Sequence, residues 1–268
     1  MIDAPTPTPA ARPRVKKHWA LGCGGALAIV ALILTGAFVV LDEPRPRGVS
    51  PEEGEVLTDA MWSALGGAGW ERTGAIRWTF GPSGARHLWD RERNWARVRW
   101  DDVEVQVALD EPSRGVVTRG GRQLSGDEAR EIVREGWARW VNDSFWLAAP
   151  FKARDRGTTR SVVRLEGDDA LLVEYASGGV TPGDAYLWLL AEDGTPRAWR
   201  MWVSVLPLGG LETSWEGWVT LPTGARIATR HALGPFTMEM ADVEGAATLS
   251  ELEPGEDPFA SLAAALAR

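Results

Sequence analysis

Between residues 159 and 243 the chain sets short runs of alternating apolar and polar residues between turn-forming ones. The runs are 159–166, 170–176, 185–191, 197–205, 212–221, 225–233 and 236–243. Gly-Asp-Asp, Gly-Gly-Val-Thr-Pro-Gly, Glu-Asp-Gly, Pro-Leu-Gly-Gly, Pro-Thr-Gly and Gly-Pro separate them. A side-chain period of two fits a strand with one buried face, and these turn residues fit tight reversals. The spacing predicts a single antiparallel meander.

The first half predicts fewer strands and two helices. Val56, Leu57, Ala60, Met61, Ala64 and Leu65 recur at helical spacing over 52–65, and Gly66-Gly67 ends that helix. About four strands follow, among them Ile76-Trp78-Phe80, His87–Trp89, Ala96–Trp100 and the clean alternation Val103, Val105, Val107, Leu109. Ser125 and Glu128 have capping-box spacing. Ala129, Ile132, Val133, Gly136, Trp137 and Trp140 then form one apolar stripe that gives way near Asn142-Asp143. Residues 258–267 suit a short terminal helix. The fold expected is mainly β (α+β): one strongly curved antiparallel sheet, with the central helix on its concave side.

Upstream, Trp19 to Leu41 is a 23-residue run without a charge. At about 1.5 Å per residue it is long enough to span a bilayer core of about 30 Å, and it exceeds a signal-peptide core of about 7–15 residues. Arg12, Arg14, Lys16 and Lys17 precede it, and Asp42-Glu43 follow. The positive-inside rule then predicts a cytoplasmic disordered tail at 1–18 and a transmembrane helix at 19–41. A linker at 42–51, an exported domain at 52–250 and a C-terminal tail with a short helix at 251–268 complete the division. The location implied is a bacterial inner membrane, with 42–268 on the extracytoplasmic side. Cys23, the single cysteine, opens the apolar run rather than following it, unlike a lipobox cysteine.

Charge narrows the partners. Residues 1–41 hold four of the 29 basic residues and one of the 37 acids, leaving a net charge of −11 on 42–268. That excess repels a phosphate backbone, so no nucleic-acid partner is expected, and anionic lipid is repelled except at a local basic patch. Only three basic residues are Lys; Arg is scattered through every segment and reads as genomic base composition.

No reaction is visible. His87 and His231 lack the clustered neighbours of a metal site, and there is no Gly-x-Ser-x-Gly, P-loop or dinucleotide fingerprint. The expectation is a non-enzyme with no catalytic residue, metal or cofactor. What remains is aromatic: 15 Trp against 2 Tyr, which fits either an unusually aromatic core or an aromatic-lined cavity. Trp199, Met201, Val203 and Val205 share one strand face, and Phe236, Met238 and Met240 share another.

The segment Trp140–Gly157 carries W-x-N-D-x-F-W-L-x-x-P-F-K-x-x-D-x-G, with Thr181-Pro182-Gly183-Asp184-Ala185-Tyr186 further on. It resembles a group of bacterial envelope proteins with these two elements. The order of elements is similar to lipoprotein carriers of the LolA, LolB and LppX type. That resemblance implies an unclosed half-barrel whose helices lid an apolar cavity for acyl chains. Trp78, Phe80, Trp146, Phe151, Trp199, Met201 and Met238 are the candidate cavity residues, and Lys152 is the candidate head-group contact. The same segment also has a structural reading, in which Asn142 and Asp143 cap a helix or turn and Lys152 pairs with Asp155 or Asp184. The functions expected are a membrane-tethered binder of a lipid, acyl chain or other apolar molecule, or an interaction domain with a filled interior.

Overall fold

The computed structural model describes residues 42–177 and 183–268. The tail 1–18, the apolar run 19–41 and Thr181-Pro182 lie outside the described residues. The chain divides into two units, Met1–Glu43 and Pro44–Arg268, and nearly all described residues belong to the second. No helix among the described residues is long and apolar enough to cross a membrane.

The domain is mainly β. It opens with helix α1 (Pro51–Ala64) and a short α2 (Gly67–Arg72), then β1 (Ala75–Phe80), β2 (Ala85–Asp90), β3 (Trp95–Trp100), β4 (Val103–Ala108), β5 (Val116–Arg119) and β6 (Arg122–Gln123). The central helix α3 spans Gly126–Ala148. After it come β7 (Thr158–Arg164), β8 (Asp169–Tyr175), β9 (Ala185–Leu190), β10 (Pro196–Trp202) and β11 (Leu211–Ser214). The remaining strands are β12 (Val219–Thr220), β13 (Arg226–Ile227), β14 (Arg230–Leu233) and β15 (Phe236–Ala246), followed by α4 (Leu249–Leu252) and α5 (Ala260–Leu266).

The expected single sheet is instead an eight-stranded sheet, β14-β15-β1-β2-β3-β4-β5-β6, and a five-stranded sheet, β11-β10-β9-β8-β7, with β12-β13 as a separate ribbon. All pairings are antiparallel. The two large sheets meet where β11 lies beside β14. There Ser214 Oγ accepts from Ala232 N at 2.9 Å, His231 Nδ1 lies 3.1 Å from Ser214 O, and Glu216 bridges Arg230. β6 and β7, consecutive in the chain, do not pair with each other, so the sheets stay unclosed. The β7 edge pairs instead with the linker at Val49.

The central helix runs through Asn142-Asp143 to Ala148, six residues past the expected stop. Asp143 is tolerated inside the helix because its carboxylate meets buried His87 on β2, with Oδ2 2.8 Å from Nε2. Asn142 Nδ2 in turn donates to Asp143 Oδ1 at 2.8 Å. Neither residue caps a helix end. Nor does the capping box form: Ser125 is the N-cap residue but makes no side-chain bond, and Glu128 pairs with Arg119 at 2.7 Å.

The expected strands 212–221 and 225–233 are each broken, at 215–218 and 228–229. Trp215 and Ala228 turn inward at those breaks and are buried. The run 197–205 stops pairing at Trp202. After Gly66, whose φ of +66° suits glycine, the chain makes α2 rather than going straight to a strand.

One core joins both sheets and α3. The first half of α3 lies on β3, β4 and β5. A Cβ at Gly136 would sit 2.8 Å from the Val105 side chain, so glycine permits this close approach. On the opposite face of the eight-stranded sheet, α4 and α5 bury Leu252, Phe259 and Leu262 against Ala75, Leu88 and Val116. The segment 251–268 is thus packed on the sheet.

At the other end, α1 packs on β7. A Cβ on Gly54 would meet the Ser161 backbone at 2.7 Å. Gly54→Ala is expected to cost about 1–3 kcal/mol by overpacking, despite alanine's better helix propensity. Chemical denaturation checks this; an unchanged or raised midpoint contradicts the docking of α1.

Candidate functional site

The aromatic residues do not fill the interior evenly. Trp188 and Trp199 are cross-strand neighbours on β9 and β10, and Thr213 of β11 faces Trp199 from the other side. Their inward faces collect Trp215 from the break after β11, with Trp188, Trp199 and Trp215 mutually 4.9–5.0 Å apart. The end of α3 adds Trp146 at 5.1 Å and Phe145 at 5.7 Å from the Trp199 ring. Tyr186 stands at 4.5 Å.

Beside this cluster lies a cavity of about 500 Å³. Its apolar wall includes Val141, Phe145 and Trp146 from α3, Trp199 and Met201 from β10, and Val203 just beyond. Val205 and Leu206 continue the wall outward; Val205 is 72% exposed, so the mouth carries an apolar lip.

One side of the wall is polar. Lys152, Asp155 and Arg156 come from the turn after α3, and Ser177 and Asp184 from the ends of β8 and β9. The two segments are tied where Ala176 N donates to Gly157 O at 2.9 Å. Lys152 Nζ pairs with Asp155 at 3.2 Å, and Asp184 Oδ1 accepts from Ser204 N at 3.0 Å. Arg156 is exposed. Three donors on residues of the wall, Tyr175 Oη, Trp140 Nε1 and Trp199 Nε1, are buried behind its surface and make no hydrogen bond among the described residues. Burial pushes the Tyr175 and Tyr186 phenols above their ordinary value of 10.0, so both remain protonated donors at neutral pH.

The structure therefore brings four of the sequence candidates, Trp146, Trp199, Met201 and Lys152, to one cavity. Four others lie away from it. Trp78 is buried and stacks on His87 at 4.7 Å. Phe151 stacks on Trp70 at 4.4 Å, and Phe80 is buried in the core. Met238 pairs with His231 across β14 and β15 and packs against the core. Trp78 and Phe80 face inward as alternation predicts, but the core already occupies the space before them. Sequence reasoning missed Phe145, Tyr175 and Tyr186. The signal was compositional: the only two tyrosines in the chain both line this wall.

His87 and His231 are both buried. His87 is closed off against Asp143, with no solvent path to its side chain. Among the described residues no group of three or more His, Cys, Asp or Glu is placed to hold a metal ion. Comparison with protein-family models and with curated proteins gives no match. What defines this protein is its architecture: an unclosed, mainly β domain with a central helix and an aromatic cavity.

His231 lies at the seam of the sheets, 4.4 Å from Trp215 and 5.5 Å from Trp146. Burial pushes its imidazole down from 6.5 to about 4, opposed by the bond to Ser214 O. A depressed folded-state value means the unfolded chain binds the proton first. Stability is then complete above 6.5 and lost as pH falls towards 4, by about 3 kcal/mol in all. Urea unfolding across that window is expected to show this loss, and His231→Gln to reduce it. An identical slope in the variant contradicts the assignment.

Proposed function

We propose that this chain is a membrane-tethered, non-catalytic envelope domain that binds a lipid, an acyl chain or another apolar molecule in the cavity beside Trp199. In this reading residues 19–41 anchor the domain in a bacterial inner membrane. The two sheets form an open half-barrel like that of the lipoprotein carriers, with α3 on the concave side.

The observation that carries the reading is the cavity of about 500 Å³, apolar over most of its wall and polar along one side. Its volume falls within the roughly 300–1,000 Å³ typical of small-molecule pockets. An acyl chain would lie along Phe145, Trp146, Trp199 and Met201. Lys152 and Arg156, balanced by Asp155 and Asp184, give the cavity's polar side groups of both signs. The exposed lip at Val205 and Leu206 offers apolar surface at the mouth, where a chain leaving a bilayer would enter.

Filling the cavity tests this reading. Residues 44–268 are titrated with parinaric acid and read by energy transfer from tryptophan. Wild type is expected to bind saturably, and Met201→Trp to bind at least about tenfold more weakly with its melting temperature kept. Equal binding by both proteins, or none by wild type, contradicts the proposal.

A further inference from the structure

The outer face of the eight-stranded sheet carries a second depression, of about 240 Å³, that owes nothing to the apolar cavity. Its lining includes Arg77 from β1, Arg86 from β2, Arg97 and Arg99 from β3, and two acids, Asp242 and Glu253. Strand register makes the arginines neighbours. Arg86 stands directly across from Arg99, while Arg77 and Arg97 flank Leu88. Like charges set opposite each other across a ladder are destabilising unless something offsets them.

Four acids, Glu104, Asp242, Glu244 and Glu253, match the four arginines in number but are shared unevenly among them. Arg77 pairs with Glu244 at 2.8 Å and with Glu253 at 3.2 Å, and Arg99 pairs with Glu104. Arg86 has no ion pair or hydrogen bond among the described residues. Arg97 is the more telling. Its side chain is only 11% exposed, yet its nearest carboxylate, Glu253, is 3.7 Å away and it makes no hydrogen bond among the described residues. Burial, and then the charge of Arg99, push its guanidinium below the usual range. A guanidinium offers five donors in a fixed fork. Holding one nearly buried without acceptors is costly, unless the depression beside it receives an acceptor-rich anion.

We propose that this depression is a binding site for a phosphate group, held between the Arg97 and Arg86 guanidinium groups on the outer face of β2 and β3. A tetrahedral oxyanion supplies several acceptors, matches the guanidinium fork, and separates the opposed charges of Arg86 and Arg99. The site stands independently of the apolar cavity, because it is built from β1, β2 and β3, none of which lines that cavity. Free phosphate and a phospholipid head group share this chemistry.

The test uses the full chain in dodecyl maltoside micelles, which carry no phosphate, titrated with inorganic phosphate by calorimetry at constant ionic strength. One phosphate per chain is expected to bind. Arg97→Gln and Arg86→Gln are each expected to weaken it by about tenfold or more. Arg86 is exposed, so its variant keeps the fold even if Arg97→Gln does not, and thermal melting checks both. Repeating the titration in nanodiscs containing phosphatidylglycerol separates the sources. Weakened phosphate binding there supports a lipid head group as occupant, and unchanged binding supports free phosphate. Absence of phosphate binding in dodecyl maltoside micelles, or binding that neither variant weakens, overturns the proposal.

Discussion

The ring of Trp199 meets five other aromatic rings: Phe145 and Trp146 from α3, Tyr186 and Trp188 from β9, and Trp215 from the break after β11. Each such pair contributes roughly 0.5–1.5 kcal/mol beyond the area it buries. The contacts join three parts of the chain that are far apart in sequence. They fix the end of α3 against the five-stranded sheet while its beginning rests on the eight-stranded one. The cavity is a consequence of that arrangement. Large rigid rings pack against one another on one side and leave a gap on the other, where Met201 and Val203 cannot reach across.

The same helix is held near its C-terminal end by a polar contact. Asp143 meets His87 inside the core, so a carboxylate that would ordinarily break an apolar stripe becomes a fixed point between α3 and β2. Removing one partner of such a pair leaves the other buried and uncompensated, which costs more than the pair contributes. Further along, the turn after α3 delivers Lys152, Asp155 and Arg156 to the cavity's polar side. The distinctive Trp140–Gly157 segment thus does two things at once. It packs through Trp140, Asp143, Leu147 and Phe151, and it lines the cavity through Phe145, Trp146 and Lys152.

Much of the β architecture was legible in the sequence, because period-two alternation and glycine turns are local signals. The strands around Trp78, Val105, Leu171 and Trp188 form where alternation places them. The failures were long-range. Asn142-Asp143 reads as a helix stop, and only His87, 56 residues away, makes Asp143 acceptable inside α3. The interruptions at 215–218 and 228–229 turn Trp215 and Ala228 into the core, a demand set by the opposite wall. For the cavity, alternation identified inward faces but could not tell a packed face from an open one. Trp199 and Trp78 look alike in sequence, yet one borders the gap and the other is covered by His87. The outer-face arginines were read as compositional background. Their meaning depends on cross-strand register, which pairs Arg86 with Arg99 only once β2 and β3 are aligned.

The central claim is that the gap beside Trp199 is a site for an apolar molecule rather than a packing remainder. Native mass spectrometry of the purified full chain, before and after lipid extraction, tests this most directly. The account predicts a bound species of discrete mass that extraction removes and that a fatty acid added back replaces. A chain that carries nothing before extraction, and takes up no fatty acid after it, would contradict the claim.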